Sequence, residues 1–346
     1  MDEQVTTKIR PVFNCSLKTE KELPSLNEAA YTGIDMMNNI LQMLFLFRSN
    51  HYVMLSDVKQ AFLMIKLKKE EDQNRFCFFW KRGNKLVTYR FKSIVFGFTS
   101  SPFILHYVMQ HHANTFPNDK VSDILSNNFY VDNLIITGND ISDLQHIYHE
   151  AYDRMKAGGF TLRSWTSNSH ELRHKMAHDG KLVEHTSEEE KVLGYKYNVK
   201  QDTLSIAPCK LDSEANTKRK VLSQTSKLFD PINFALPITI RGKILMRKIW
   251  KLGLGWDDQL PQDITNEMKK LSKDLNMVSE LSFPRQALNE NNSYGLHIFC
   301  DSSAEAYGFV AYAVDSNNVS TFVYAKSKLA PLNRRNEHSI QIGRAH

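Results

Sequence analysis

The sequence predicts an α+β protein, and three observations carry that prediction. Short apolar runs with strand character recur at 52–57, 76–80, 86–91, 129–138, 192–199 and 203–206. Other segments repeat apolar residues at helical spacing, as Ile40, Met43, Leu44 and Phe47 do. After residue 206 the texture changes: basic amphipathic helices come first, then a polar stretch, NENNS at 289–293, then a strand-rich segment at 296–314.

Taken in order, TKIRPVFNC (7–15) reads as a short strand behind a basic flank, and 26–47 as a loop followed by a helix. YVMLSDVKQAFLMIKL (52–67) opens with an apolar run ending at Ser56-Asp57, which suits a buried strand. FCFFW and LVTYRF are strand-like on either side of a turn at Gly83-Asn84. FGFTSSPFILHYVMQHH (96–112) predicts a turn and then a helix, with Pro102 near the start, where its missing N–H does no harm. FYVDNLIITG (129–138) is two apolar runs joined at Asp132-Asn133, residues that tolerate the positive φ of a tight hairpin. An amphipathic helix at 141–157 ends at Gly158-Gly159. VLGYKYNV (192–199) predicts a strand paired with TLSI (203–206). Helices are expected at 214–229 and 239–251, with Asp230-Pro231 and Pro237 in the loop between them, and LHIFCDSSAEAYGFVAYAV (296–314) opens as a strand and continues into a hairpin.

With 346 residues, 42% of them hydrophobic, the chain is long enough for two or three domains with real cores. A net charge of +6 suits a polyanionic partner without singling one out. The four cysteines are far apart, with no CxxC pair and no zinc-finger spacing, so reduced thiols are expected. The N-terminus has no apolar signal core, and the longest strongly apolar stretch, Ile40–Phe47, is too short to span a bilayer. An intracellular, cytoplasmic protein is the expectation.

Asp57 ends an apolar strand, and Asp132 sits at the tip of an apolar hairpin. Carboxylates in such settings are costly to desolvate and need partners. Brought together they repel unless a divalent cation lies between them, and hard oxygen donors favour Mg²⁺. Two such ions activate a hydroxyl nucleophile and stabilise a leaving phosphate. An isolated Asp of this kind is more often a plain turn or strand-end residue, so the surrounding segments decide.

KIRPVFNCS, SDVKQAF, YRFKSIVFGFTSSPF, YVDN, LRSWTSNS, VLGYKY, KRKVLSQTSKLFDPI, GWDDQLP and LHIFCDSSAEAYG together resemble, in this order, reverse transcriptases of BEL/Pao-type LTR retrotransposons. The resemblance implies a right-hand polymerase: partial fingers and palm over 1–206, a thumb or connection-like helical region over 207–288, and a partial RNase H-like α/β segment over 294–346. It implies RNA-directed DNA polymerisation, with an RNA or DNA template–primer and dNTPs as partners and Mg²⁺ (or Mn²⁺) as cofactor.

Residue by residue, Asp57 and Asp132 match the metal-binding carboxylates, and the Val58 carbonyl matches a further metal ligand. Phe62 matches the aromatic steric gate against ribonucleotides, though alone it reads equally as a core aromatic. Arg10, with Lys8 beside it, matches a triphosphate-holding arginine. Phe96-Gly97, with Ser100, Ser101 and Pro102, matches the lining of the nucleotide pocket. Leu193-Gly194-Tyr195 match the primer grip, where an ordinary strand with a glycine bulge fits the residues as well. Lys218, Arg219, Lys220, Lys227, Arg241, Lys243, Arg247 and Lys248 are positioned on helices that match duplex-binding ones, although charged helix faces are commonly just solvated.

Two departures stand out. The box reads Tyr130-Val131-Asp132-Asn133, with Asn where the family carries a second Asp. That removes one negative charge and predicts impaired polymerisation or, as the alternative, an inactive relic that binds nucleic acid at most. Asp301 matches the first RNase H carboxylate, but SIQIGRAH follows where the next acidic segment is expected, and Glu337 is a poor substitute. No RNase H activity is expected, and the chain reads as a piece of a larger polyprotein.

Overall fold

A computed structural model of the chain describes residues 12–18, 20–180, 189–209, 211–212, 214–288 and 292–331. The chain divides into two compact units, one of residues 1–46 with 51–185, the other of 47–50 with 186–346.

The first unit opens with α1 (Leu26–Ala29), fixed by a capping box between Ser25 and Glu28, and with α2 (Ile40–Arg48), whose last two residues belong to the second unit. Next come β1 (Tyr52–Val58), the short helices α3 (Ala61–Met64) and α4 (Glu70–Gln73), and the hairpin β2 (Cys77–Arg82) and β3 (Lys85–Arg90). Helices α5 (Ser101–Ala113) and α6 (Lys120–Asn127) precede β4 (Phe129–Tyr130) and β5 (Asn133–Gly138). The unit ends with α7 (Ile141–Ala157), β6 (Leu162–Ser167) and α8 (His170–His178).

Its main sheet has the order β4-β5-β1-β6. β1 is paired antiparallel on both sides, and Val53, Met54 and Leu55 are all buried rather than alternating in and out. That is why its sequence is a continuous apolar run. Leu105 and Met109 of α5, Ile147, Tyr148 and Ala151 of α7, and Trp165 of β6 share one core. Tyr148 and Trp165 meet edge to face at 4.8 Å, and each buried aromatic contributes about 2–3 kcal/mol by area.

The second unit contains β7 (Glu189–Val192), β8 (Tyr195–Asn198) and β9 (Thr203–Ile206), then α9 (Lys218–Thr225), α10 (Leu236–Lys251) and α11 (Gln262–Met277). Strands β10 (Ser282–Pro284), β11 (Tyr294–Ser302), β12 (Ala306–Asp315) and β13 (Ser320–Leu329) complete it. The strands form two sheets, β10-β9-β8-β7 and β11-β12-β13. Val221, Leu245, Ile249, Met268 and Leu271 join the three helices in one apolar cluster.

Several local expectations need correction. The hairpin at 129–138 turns at Val131-Asp132, not at Asp132-Asn133; Tyr130 pairs with Asn133, which begins β5. The segment 192–199 is not one strand: Leu193 and Gly194, with φ of 50° and 93°, form the turn between β7 and β8. Two consecutive positive φ values are what a tight two-residue hairpin needs. The helix expected over 214–229 is only Lys218–Thr225, and Pro237 lies in the first turn of α10 rather than in the loop before it. Of the strand expected at 7–15, residues 7–11 lie outside the described residues, and Val12 makes an isolated bridge with Phe96.

Candidate active site

Asp57 stands one residue from the end of β1, opposite Asn133 of β5 on one side and Arg163 of β6 on the other. The Val58 N–H donates to the Asp132 backbone carbonyl at 2.9 Å, so the peptide after Asp57 touches that of Asp132. Asp57, Val58, Phe62, Phe96, Val131, Asp132 and Arg163 line one cavity within the first unit. The sheet register therefore brings to one cavity two aspartates that stand 75 positions apart in the chain (132 − 57).

The backbone around them is held in unusual conformations. Val131 has φ 57°, uncommon for a β-branched residue and worth about 1–3 kcal/mol of strain. It occupies the first of the two loop positions, where hairpin turns require positive φ. Gly97 has φ 96°, and a Cβ there would lie 1.9 Å from the Phe13 carbonyl oxygen. Only glycine allows that approach, and the Phe13 N–H donates to the Phe96 carbonyl at 2.9 Å beside it. The Phe62 and Phe96 rings meet edge to face at 4.9 Å. Behind them Ser101 Oγ donates to the Val95 carbonyl at 2.8 Å, and Ser100 Oγ to that of Tyr31 at 2.6 Å. Pro102 lies in the first turn of α5.

Each carboxylate has a protein donor. Arg163 Nε donates to Asp57 Oδ2 at 2.9 Å, and Asn133 Nδ2 donates to Asp132 Oδ1 at 3.2 Å. Arg163 is the site residue that sequence reasoning missed. Its signal was a charged residue set beside the buried Leu162 and near the buried Trp165, the same pattern that drew attention to Asp57.

Two aspartates lining one cavity suit a hard divalent cation. Mg²⁺ is commonly held by one or two carboxylates together with substrate phosphates. Among the described residues, no three His, Cys, Asp or Glu side chains gather to hold a metal by themselves.

Arg10, Lys8 and Glu337 lie outside the described residues. Leu193 and Gly194 form a turn in which a Cβ on Gly194 would meet the Phe229 ring at 2.2 Å. Tyr195 beside them is buried, and its hydroxyl donates to Asp230 Oδ1 at 2.5 Å. Burial, then Asp230, push that phenol well above its usual range.

Among the cations expected to face phosphates, Lys218 is corrected: it is buried, donates to the Leu254 carbonyl, and lies 4.3 Å from the Trp250 ring centroid. Its stem and charge serve the packing of α9. Arg219 is exposed but bidentate to Asp257, Lys248 pairs with Glu267, and Arg241 pairs with Asp274. Arg247 donates to the Ala330 carbonyl, and Lys227 to Gln224. Lys220 and Lys243 are exposed. Asp301 is exposed on β11, its carboxylate accepting from the Ser302 N–H at 2.8 Å.

The family model described as reverse transcriptase (RNA-dependent DNA polymerase) matches residues 2–196, and so takes in every described residue of this cavity. A second, the Pao retrotransposon-like RNaseH-like domain, matches residues 217–341, spanning α9, α10 and α11 as well as the β11–β13 sheet. No curated protein matches the chain. No described helix is long and apolar enough to cross a membrane.

Proposed function

The chain belongs to the reverse transcriptase family, of the Pao/BEL retrotransposon type, and we propose that Asp57 and Asp132 are its nucleotidyl-transfer site. Proteins of this family are RNA-directed DNA polymerases that bind template–primer and dNTPs and use divalent metal ions. The observation behind the proposal is the single cavity shared by Asp57, Val58, Phe62, Phe96 and Asp132.

In this reading residues 1–206 are the palm with part of the fingers, a span that takes in the unit around Asp57 and the β7–β9 strands of the second unit. The helical stretch 207–288 acts as thumb or connection, and 294–346 is an RNase H-like remnant. Asp57, Asp132 and the Val58 carbonyl would hold Mg²⁺ or Mn²⁺, which would favour ionisation of the primer 3′-hydroxyl and neutralise charge on the leaving pyrophosphate. Phe62, braced by Phe96, fills the space a ribose 2′-hydroxyl would need. Gly97 lets the backbone approach the nucleotide closely, and Arg10 grips the triphosphate through its planar fork. The Leu193-Gly194 turn, anchored through Tyr195, positions the primer end. Lys220, Lys243, Arg219 and Arg247 track duplex phosphates, the last two by exchanging their present partners. Asp301 is in this reading the remnant of the first RNase H carboxylate, and no RNase H activity is expected of it.

Asn133 favours a second reading. Its amide donates to Asp132 where a second Asp would add negative charge, so the site holds metal less strongly and the chain is a weak polymerase or a nucleic-acid-binding relic.

Primer extension on an RNA template, with Mg²⁺ and dNTPs, tests the proposal. Asp57→Asn is expected to lower incorporation at least about a hundredfold. Incorporation that survives Asp57→Asn overturns the assignment. Incorporation seen only in Asn133→Asp supports the relic reading.

A further inference from the structure

Arg163 has no counterpart among the roles assigned above, yet it hydrogen-bonds one of the two candidate metal-binding carboxylates directly. Its position is built. Leu55 pairs with Thr166 and Asp57 with Arg163, so β6 carries an extra residue relative to β1. The irregularity includes Ser164, at φ 54°. Such a bulge re-aims a side chain. Ser56 Oγ donates to the Arg163 carbonyl at 2.8 Å and pins the backbone at that point. The result is a guanidinium directed at Asp57 along a 2.9 Å hydrogen bond.

The contact itself is sparing. Among the described residues, the Arg163 guanidinium makes only this hydrogen bond, through Nε, and Asp57 accepts only through Oδ2. A carboxylate can take two donors from an arginine fork, and this pair leaves half of that capacity unused. About a quarter of each side chain remains exposed. Formal charge makes the same point. Asp57 and Asp132 contribute two negative charges, Arg163 returns one positive charge, and Asn133 contributes none. A divalent cation bound at Asp57 would face a guanidinium on the same carboxylate, and like charges at that range oppose each other.

We infer that Arg163 is the resident counter-ion of the site: it holds Asp57 in place before metal binds and must yield that carboxylate when a divalent cation arrives. The inference rests on the reading of Asp57 and Asp132 as metal-binding residues. Arg163 touches no reacting atom and is a positioning residue, one that sets how much metal the site requires.

The test is Mn²⁺ binding to the full chain at neutral pH, followed by the electron paramagnetic resonance signal of free Mn²⁺. Parent, Arg163→Gln, Arg163→Lys and Asp57→Asn are compared, with circular dichroism to confirm folding. Arg163→Gln should bind Mn²⁺ about three- to tenfold more tightly, the range expected for removing a partly exposed competing charge. Arg163→Lys keeps the charge and should stay within about twofold of the parent. A purely structural arginine would give the opposite sign, because loosening Asp57 weakens binding. Unchanged or weaker binding in Arg163→Gln, or tightening in Arg163→Lys equal to that in Arg163→Gln, overturns the inference and leaves the metal-site reading intact. Should Arg163→Gln fail to fold, Arg163→Lys decides alone: affinity beyond twofold of the parent overturns the counter-ion role. Mn²⁺ affinity that is the same in Asp57→Asn as in the parent overturns both.

Discussion

The Arg163–Asp57 pair of the first unit and the Arg285–Asp202 pair of the second are constructed differently. In the first unit Arg163 reaches Asp57 with a single hydrogen bond at a solvent-lined cavity. In the second, Arg285 is fully buried and grips Asp202 with two, Nε to Oδ1 at 2.6 Å and Nη2 to Oδ2 at 3.0 Å. Arg285 also donates to the backbone carbonyls of Phe47 at 2.8 Å and Asn50 at 3.1 Å, while Tyr197 donates to Asp202 at 2.7 Å. Arg48, whose Nε donates to the Arg285 carbonyl, is so buried that its guanidinium is pushed down to about 10. A buried charge persists only when its donors are consumed, so the Arg285 cluster is a structural joint. Arg163 keeps unused donors next to a cavity, as a group expected to exchange partners would.

The difference yields a ranked set of expected stabilities. Arg285→Met takes both guanidinium donors from Asp202, which is about a quarter exposed, and leaves the Phe47 and Asn50 carbonyls without them, so it should lower unfolding free energy by about 3 kcal/mol in urea denaturation. A loss below about 1 kcal/mol would mean the joint is not structural. Gly97→Ala comes next, at about 2 kcal/mol or more in thermal unfolding, because φ 96° and the Phe13 carbonyl both reject a Cβ. Gly83→Ala is its control: it also has positive φ, 60°, but nothing within 4 Å, so about 1 kcal/mol is expected. Asp230→Ala removes the acceptor for Tyr195 Oη and for the N–H groups of Phe234 and Ala235, and should cost about 2 kcal/mol. Arg163→Gln should change stability least, by less than about 1 kcal/mol in either direction. A cost for Arg163→Gln matching that of Arg285→Met would erase the distinction between the two pairs.

Several elements of the first unit were legible because they are local. The apolar run of β1, the Gly83-Asn84 hairpin and α7 with its terminal glycines are set by period and turn chemistry. The turn at Val131 was not legible. Asp-Asn is the better turn former, and only the β4–β5 register moves the positive φ onto a valine. Leu193-Gly194 misread as strand for a related reason: a short apolar segment does not reveal that the chain reverses inside it. Arg163 was out of reach as a partner because its contact to Asp57 spans 106 positions through a bulge. The helix α11 is a different kind of miss, since Ile264, Met268, Leu271 and Leu275 do recur at helical spacing. Lys218 shows the limit of charge patterning: Arg219 and Lys220 after it face solvent, while its own ammonium is buried against Trp250 and Trp256.

The most direct measurement is single-turnover primer extension on an RNA template by Asn133→Asp, set beside Asn133→Asp combined with Asp57→Asn. Restoring the missing carboxylate should raise incorporation at least about tenfold over the parent, and losing Asp57 should abolish that gain. Incorporation by the double variant equal to that of Asn133→Asp would contradict the assignment of Asp57 and Asp132 as the polymerase site.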